Sequence, residues 1–227
     1  MLKEPPEDAA RLALDRAIAH AVRARLAAGP RATPDADAVA LREALAGLSP
    51  PEIAAARSVL GRIDAAQGGP LIVWGPASQV LAADRFGLSA RMASKPENAL
   101  ASVREGARAL MDLTTSSPWW GRLLAEPALR VVGALPDHGA GLPRALMVRK
   151  APPGPTGDDR TFWATDSALP DARIVEALGA AGLAASPLIA AGGLKLFVLA
   201  GYVQAEDGRL ASAPGSLSGV IGAAPVF

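Results

Sequence analysis

The triplet Gly68-Gly69-Pro70 divides this chain into two kinds of sequence. Two glycines that can end a helix, followed by a proline that cannot continue one, set a boundary that no regular element crosses. Before it, apolar residues recur at helical spacing. After it, short apolar runs alternate with helical stretches. In residues 8–28, "DAARLALDRAIAHAVRARLAA", the residues Leu14, Ile18, Val22 and Leu26 form one stripe, and Gly29-Pro30 stops it. "TPDADAVALREALAG" predicts a second helix, with Thr33 or Asp35 as N-cap, Pro34 just inside and Gly47 as the stop. "SPPEIAAARSVLGRIDAAQGG" repeats the formula, with Ser49 as cap and Pro50 in the first turn. Residues 1–67 read as three helices joined by short turns.

Beyond Pro70, "LIVWG" reads as a buried strand, "PASQVLAADRFG" as a helix, "SARMAS" as a strand and "KPENALASVREG" as a helix. "ARALMDLT", "SSPWWGRLLAEP" and "LRVVGALP" continue as strand, helix and strand. Such alternation predicts a mostly parallel sheet covered on both faces. "ALMVRK" adds a strand before a Pro/Gly linker at 151–157. The remainder reads strand (161–166), helix (171–183), strand (186–190), strand (194–202), short helix and strand (220–227), with Gly192-Gly193 as a hairpin signal. That β-α-β-β-α-β order is the ferredoxin-like plan. The expected architecture is α+β, divided at 1–67, 68–150 and 151–227.

At 227 residues, half of them apolar, the chain can bury a substantial core. Its 23 basic and 22 acidic residues give a net charge of +1, which predicts neither nucleic-acid nor membrane binding. No cysteine is present, which removes disulfides, thiolate metal sites and cysteine nucleophiles together. "MLKEPPEDAARLALD" lacks the basic region and apolar core of an export signal, and no apolar run approaches a membrane span. A cytoplasmic location is expected.

Two turns at strand ends carry the chemistry. Gly75 permits close backbone approach, and Ala77, Ser78 and Gln79 can offer amides and a hydroxyl to an anion at a helix start. Thr114, Thr115, Ser116 and Ser117 follow another strand and can line the same crevice, where ligands of parallel sheets collect. The same residues also suit plain capping, with Pro76 and Pro118 in first-turn positions. Trp119 and Trp120, adjacent on one predicted helix, cannot share a face. One is expected in the core, and the other either there as well or over the crevice or a subunit contact. His20, expected to be exposed, and His138 lie in different segments and suggest no metal site. "GAGLP" at 139–143 reads as a turn.

The order of segments, with "RIDAAQGGP", "VWGPASQVLAADRFG" and "NALASVREGARALMDLTTSS", resembles the bacterial chorismate mutase–prephenate dehydratase family. The WW pair and "TGDDR" are similar to shortened chorismate mutase-like proteins of alphaproteobacteria. The resemblance implies a chorismate mutase-like helical segment, a dehydratase-like (periplasmic-binding-protein-like) half-lobe and a C-terminal ACT-like module. It also implies a homodimer and no cofactor or metal. The small-molecule ligand would be chorismate, prephenate or an aromatic amino acid.

A helical mutase holds the two carboxylates of its substrate with several cations. The resemblance puts Arg25 on an Arg position and Gln67 near the Gln position, and places Asp8 where the opening Arg belongs, with Arg11 as substitute. The lysine has no counterpart, since none occurs between Lys3 and Lys95. Arg42 and Glu43 fall off the pattern, and Arg23, Arg25, Arg42 and Arg57 also suit solvated helix faces. The mutase site therefore reads as eroded. The Thr-Arg-Phe motif of a dehydratase is replaced by "DDRTF", which reads as a strand start with Asp159–Arg160 as a surface pair. Pro136 to Asp159 is too short for a second lobe. Three readings follow: a mutase-like protein of aromatic amino-acid biosynthesis, contacting chorismate through Arg11, Arg25 and Gln67 if active; a non-catalytic binder of a small anion or aromatic ligand in the same pathway; or an assembly partner whose helical segment docks on another protein.

Overall fold

The computed structural model describes residues 8–29, 33–87, 90–137 and 141–227. Asp8 opens α1 (Ala9–Ala28) by accepting hydrogen bonds from the Ala10 and Arg11 amides, which explains why an acid stands there. Thr33 and Pro34 start α2 (Pro34–Leu45). Ser49 starts α3 (Pro50–Gln67), its amide and hydroxyl both donating to the Glu52 carboxylate at 2.7 Å. The three helices enclose Ala21, Leu41, Leu45, Ala56 and Leu60.

The rest of the chain builds β1 (Leu71–Trp74), α4 (Pro76–Phe86), β2 (Arg91–Met92), α5 (Pro96–Arg104) and β3 (Arg108–Asp112). A 3-10 turn (Trp119–Gly121) then runs into α6 (Arg122–Ala125), followed by β4 (Arg130–Leu135) and β5 (Ala145–Arg149). Next come β6 (Asp159–Thr165), α7 (Asp171–Ala180), β7 (Ala185–Ala191), β8 (Leu194–Ala200), a 3-10 turn (Gly208–Leu210) and β9 (Ser218–Pro225). The strands form one mixed sheet in the order β2-β1-β3-β5-β4-β9-β6-β8-β7. The protein is therefore of the mixed α+β kind. Among the described residues no helix is long and apolar enough to cross a membrane.

Three expectations need correction. The sheet is not mostly parallel: β2, β1 and β3 are, but β5 lies antiparallel between β3 and β4, and β9, β6, β8 and β7 are antiparallel throughout. The link from β4 to β5, residues 136–144, is too short for the crossover that parallel neighbours require, so β5 must return antiparallel. Next, the segment around Trp119 and Trp120 is a 3-10 turn with one short helical turn, and both indoles are fully buried in one cluster, edge to face at 6.1 Å. Finally, β6 does begin at Asp159, but Asp159 is buried and accepts the Thr156 amide and hydroxyl at 2.8 and 2.7 Å. Arg160 reaches the Gly141 carbonyl instead. His20 is exposed as expected; His138 and most of the "GAGLP" turn's first half lie outside the described residues.

Right-handed crossovers out to β2 and back to β3 put α4 and α5 on opposite faces of the sheet. On the α5 face, Leu100 and Val103 pack with Met111, Trp119, Trp120, Leu146, Phe162 and Ile221. On the other face, Ala82 of α4 meets Leu71, Val73, Leu110 and Leu135. A third cluster lies under α7, where Ile174 and Leu178 cover Trp163 and Phe197.

The halves of the sheet join where β4 and β9 pair parallel at Val131 and Gly222. Gly222 has φ of 142°, and a Cβ there would collide with the Val131 backbone. Only glycine admits this approach. Gly222→Val is expected to cost about 3 kcal/mol, read as a lowered urea midpoint at unchanged buffer conditions.

Candidate functional site

The two turns singled out in the sequence do meet, and what joins them is a residue the sequence did not single out. Asp112, fully buried at the end of β3, accepts the Ala77 amide at 2.7 Å through one carboxylate oxygen. Its other oxygen accepts the Thr114 amide at 2.6 Å and the Thr114 hydroxyl at 2.7 Å. Its carbonyl accepts the Trp119 indole N–H at 2.8 Å. Gly75 caps α4 with φ of 90°, and a Cβ there would run into the Asp112 side chain. The positive end of α4 thus holds an anion supplied by the chain itself.

Around this joint the other expected contacts are dispersed. Ser78 is buried, with a hydroxyl that has no hydrogen-bond partner among the described residues; the Thr115 hydroxyl is in the same condition. Gln79 is exposed and its amide belongs to the helix, donating to the Gly75 carbonyl at 3.1 Å. Ser116 is exposed and Ser117 half-buried. Asp112→Ala would leave the part-buried Ala77 and Thr114 amides without their acceptor and is expected to cost about 2 kcal/mol. An equilibrium urea titration reads this directly.

The three mutase-type positions do not assemble within the chain. Arg11 is exposed in the first turns of α1, and Gln67 is exposed at the end of α3. Arg25 is buried and already neutralised: its Nη2 lies 2.6 Å from Asp37 and 2.8 Å from Asp64. Burial lowers the Arg25 pKa, but the attraction of Asp64 and hydrogen bonds to Asp37 and Asp64 outweigh this and leave it raised. The pair locks α1 to α2 and α3. Arg25→Ala would leave two carboxylates facing an empty site and is expected to lower stability by about 3 kcal/mol, measured by thermal or urea unfolding.

The solvated-face reading of the arginines holds for Arg23, which is exposed, and fails for Arg25, Arg57 and the half-buried Arg42. Four guanidinium-bearing residues, Arg25, Arg57, Arg85 and Arg108, are buried at the seam between the helical segment and the sheet. Arg108 donates through Nη2 to the Gly69 carbonyl at 3.2 Å and the Ala65 carbonyl at 3.4 Å, while its Nε has no hydrogen-bond partner among the described residues. Arg42 reaches the Thr156 carbonyl and, at 2.9 Å, the Val226 carbonyl.

Arg57 and Arg85 are less well served. They share Asp137, which lies against Arg57 Nη2 and 3.6 Å from Arg85 Nε, and Arg85 also donates to the Arg57 carbonyl. The Nε atoms of both have no hydrogen-bond partner among the described residues. Burial and then the charge of Arg85 push the Arg57 pKa down to about 10. Burial lowers that of Arg85 too.

Both side chains line a cleft of about 670 Å³ between α3, α4 and the end of β4, walled by Ile53, Leu81, Leu135 and Phe227. The Phe227 ring lies 5.4 Å from the Arg57 guanidinium. Sequence reasoning missed this cleft. The available signal was an arginine four residues after Ile53 and another four after Leu81, each on its helix's apolar stripe. Among the described residues no group of three or more potential metal ligands comes together.

No protein-family model matches the chain, and no curated protein matches it. Among solved structures it is similar to one described as "GqqA- a novel type of quorum quenching acylases", at 18% identity and a TM-score of 0.46, over 69% of this chain and 95% of that one. It is also similar to prephenate dehydratase from Streptococcus mutans, at 15% identity and a TM-score of 0.40, over 70% of this chain and 99% of the other. The latter is a distant structural neighbour.

Proposed function

We propose that this chain is a cytoplasmic, chorismate mutase-like protein of aromatic amino-acid biosynthesis that binds a small anionic ligand of that pathway without rearranging it. In this reading residues 1–67 derive from a mutase helical segment, 68–150 from one dehydratase-like lobe and 151–227 from an ACT-like module. The chain works as a homodimer without a cofactor. The C-terminal strand order β9-β6-β8-β7, antiparallel throughout, supports the ferredoxin-like part of that division. Its second helix is only the 3-10 turn Gly208–Leu210.

The observation that carries the non-catalytic choice is the state of Arg25. A mutase must present uncommitted cations to both carboxylates of its substrate, since transition-state stabilisation comes from donors already aimed at it. Arg25 is committed to Asp37 and Asp64. Arg11 is fourteen residues earlier on the same helix, about 21 Å along its axis, so one bound molecule cannot touch both within a chain. The carboxyl-edge crevice around Gly75–Gln79 and Thr114–Ser117 remains a binding region in this reading, but an anion entering there must compete with Asp112 for the Ala77 amide.

Loss of chorismate absorbance at high protein concentration tests the choice. The expected rate equals the uncatalysed one, with wild type and Arg25→Ala indistinguishable. Turnover well above background that collapses in Arg25→Ala would overturn it. Binding is expected to appear as a rise in melting temperature with chorismate, prephenate or phenylalanine, by mass action on the folded state.

A further inference from the structure

We infer that the cleft between α3, α4 and the end of β4 is a binding site for a small organic carboxylate with an apolar body, held by Arg57 and Arg85. The inference deepens the binding reading above and rests on it, while placing the ligand away from both the mutase-type residues and the carboxyl-edge turns.

The first support is unmet hydrogen-bonding capacity. Arg57 and Arg85 are 5% and 8% exposed, which puts both guanidiniums out of bulk water. Burying such a group is costly unless its donors are used. The neighbouring arginines come closer to this rule: Arg25 has two carboxylates, Arg42 has carbonyls, and Arg108 has two carbonyls with its Nε left unpartnered among the described residues. In the cleft, the Arg57 and Arg85 Nε atoms have no hydrogen-bond partner among the described residues, the Asp137 carboxylate standing 3.6 Å from Arg85 Nε. Two like charges there share Asp137, with Asp84 exposed at the rim. A ligand carboxylate would use those donors, because a planar guanidinium matches a carboxylate in shape as well as charge.

The second support is the form of the cleft. Its volume of about 670 Å³ lies in the usual range for small-molecule sites, roughly 300–1,000 Å³. Besides the guanidiniums it is walled by Pro50, Ile53, Ala54, Leu81, Leu135 and Phe227, whose ring lies against the Arg57 guanidinium. A bare inorganic anion would leave those walls wet, whereas a hydrocarbon or aromatic body would cover them. The arginines and the apolar walls together specify an amphiphilic carboxylate.

The framework around the cleft is fixed rather than adaptable. Gly61 lets α3 lie on the last turn of α4, since a Cβ there would strike the Arg85 backbone. The Phe227 amide donates to the Asp137 carbonyl at 3.0 Å, tying the end of β9 to the end of β4. Asp137 is the chain's own carboxylate at this place, so a ligand competes with it. That competition gives the site a signature which simple loss-of-function variants lack.

Isothermal titration of the full chain with 4-phenylbutyrate, its uncharged amide 4-phenylbutyramide, and acetate tests the site. Wild type is expected to bind 4-phenylbutyrate at least tenfold more tightly than either of the others. Arg57→Met is expected to lose tenfold or more. Leu81→Trp, which fills the cleft and keeps both arginines, is expected to abolish binding. Asp137→Asn, which removes the competing charge and retains the backbone tie to Phe227, is expected to strengthen binding several-fold; these two variants decide the matter if Arg57→Met does not fold. Equal binding by wild type and folded Leu81→Trp would overturn this site and leave anion binding elsewhere on the chain. Equal affinity for acid and amide would overturn the role of the arginines. Failure of wild type to bind 4-phenylbutyrate, chorismate or prephenate would overturn the binding reading itself.

Discussion

The helical segment is fastened to the sheet by buried guanidinium groups, and the position of the cleft follows from that fastening. An apolar seam would have let α1–α3 slide. Arginines that must find acceptors fix a single register, because each misplacement would strand a charge out of water. Arg108 takes the carbonyls of Ala65 and Gly69 and so sets the corner between α3 and β1. Arg25 gathers α2 and α3 through Asp37 and Asp64. Arg85 reaches the Arg57 carbonyl and pins α4 to α3. Among the described residues the Nε atoms of Arg57, Arg85 and Arg108 have no hydrogen-bond partner, and at the Arg57–Arg85 pair two guanidiniums share the single carboxylate of Asp137.

The same physics governs the carboxyl edge of the sheet, with the opposite outcome. A glycine turn leading into a helix offers amides to an anion, and here Asp112 is that anion. It also binds the Thr114 turn, so the joint is a structural one built from the parts of a ligand site. Among the described residues, the Ser78 and Thr115 hydroxyls have no hydrogen-bond partner. Internal carboxylates therefore answer the positive groups at Arg25 and at α4, and answer them only in part at the cleft.

Much of the secondary structure was legible because local signals agreed. Thr33-Pro34, Ser49-Pro50 and the Gly75-Pro76 turn each begin a helix where cap and proline coincide. Strand direction was not legible, since it depends on loop reach: nothing in "LRVVGALP" or "ALMVRK" says that β5 inserts between β3 and β4. Of the two placements open for the second tryptophan the core one holds, and it is a 3-10 turn in place of the expected helix that sends both rings to one cluster. Among the candidate residues, Gly75, Ala77 and Thr114 all meet at Asp112, which looks like an ordinary strand residue in the sequence. Arg57 and Arg85 were hidden for a related reason. A charged residue on an apolar stripe reads as a solvated face until tertiary packing shows what lies over it.

A crystal structure of the chain grown with 4-phenylbutyrate tests the central claim most directly. The account predicts the carboxylate within hydrogen-bond distance of both Arg57 and Arg85, with the ring against Leu81, Leu135 and Phe227 and with Asp137 turned away. A ligand seated instead at Gly75–Gln79 and Thr114–Ser117, or an unchanged Arg57–Asp137 pair beside an empty cleft at saturating concentration, would contradict it.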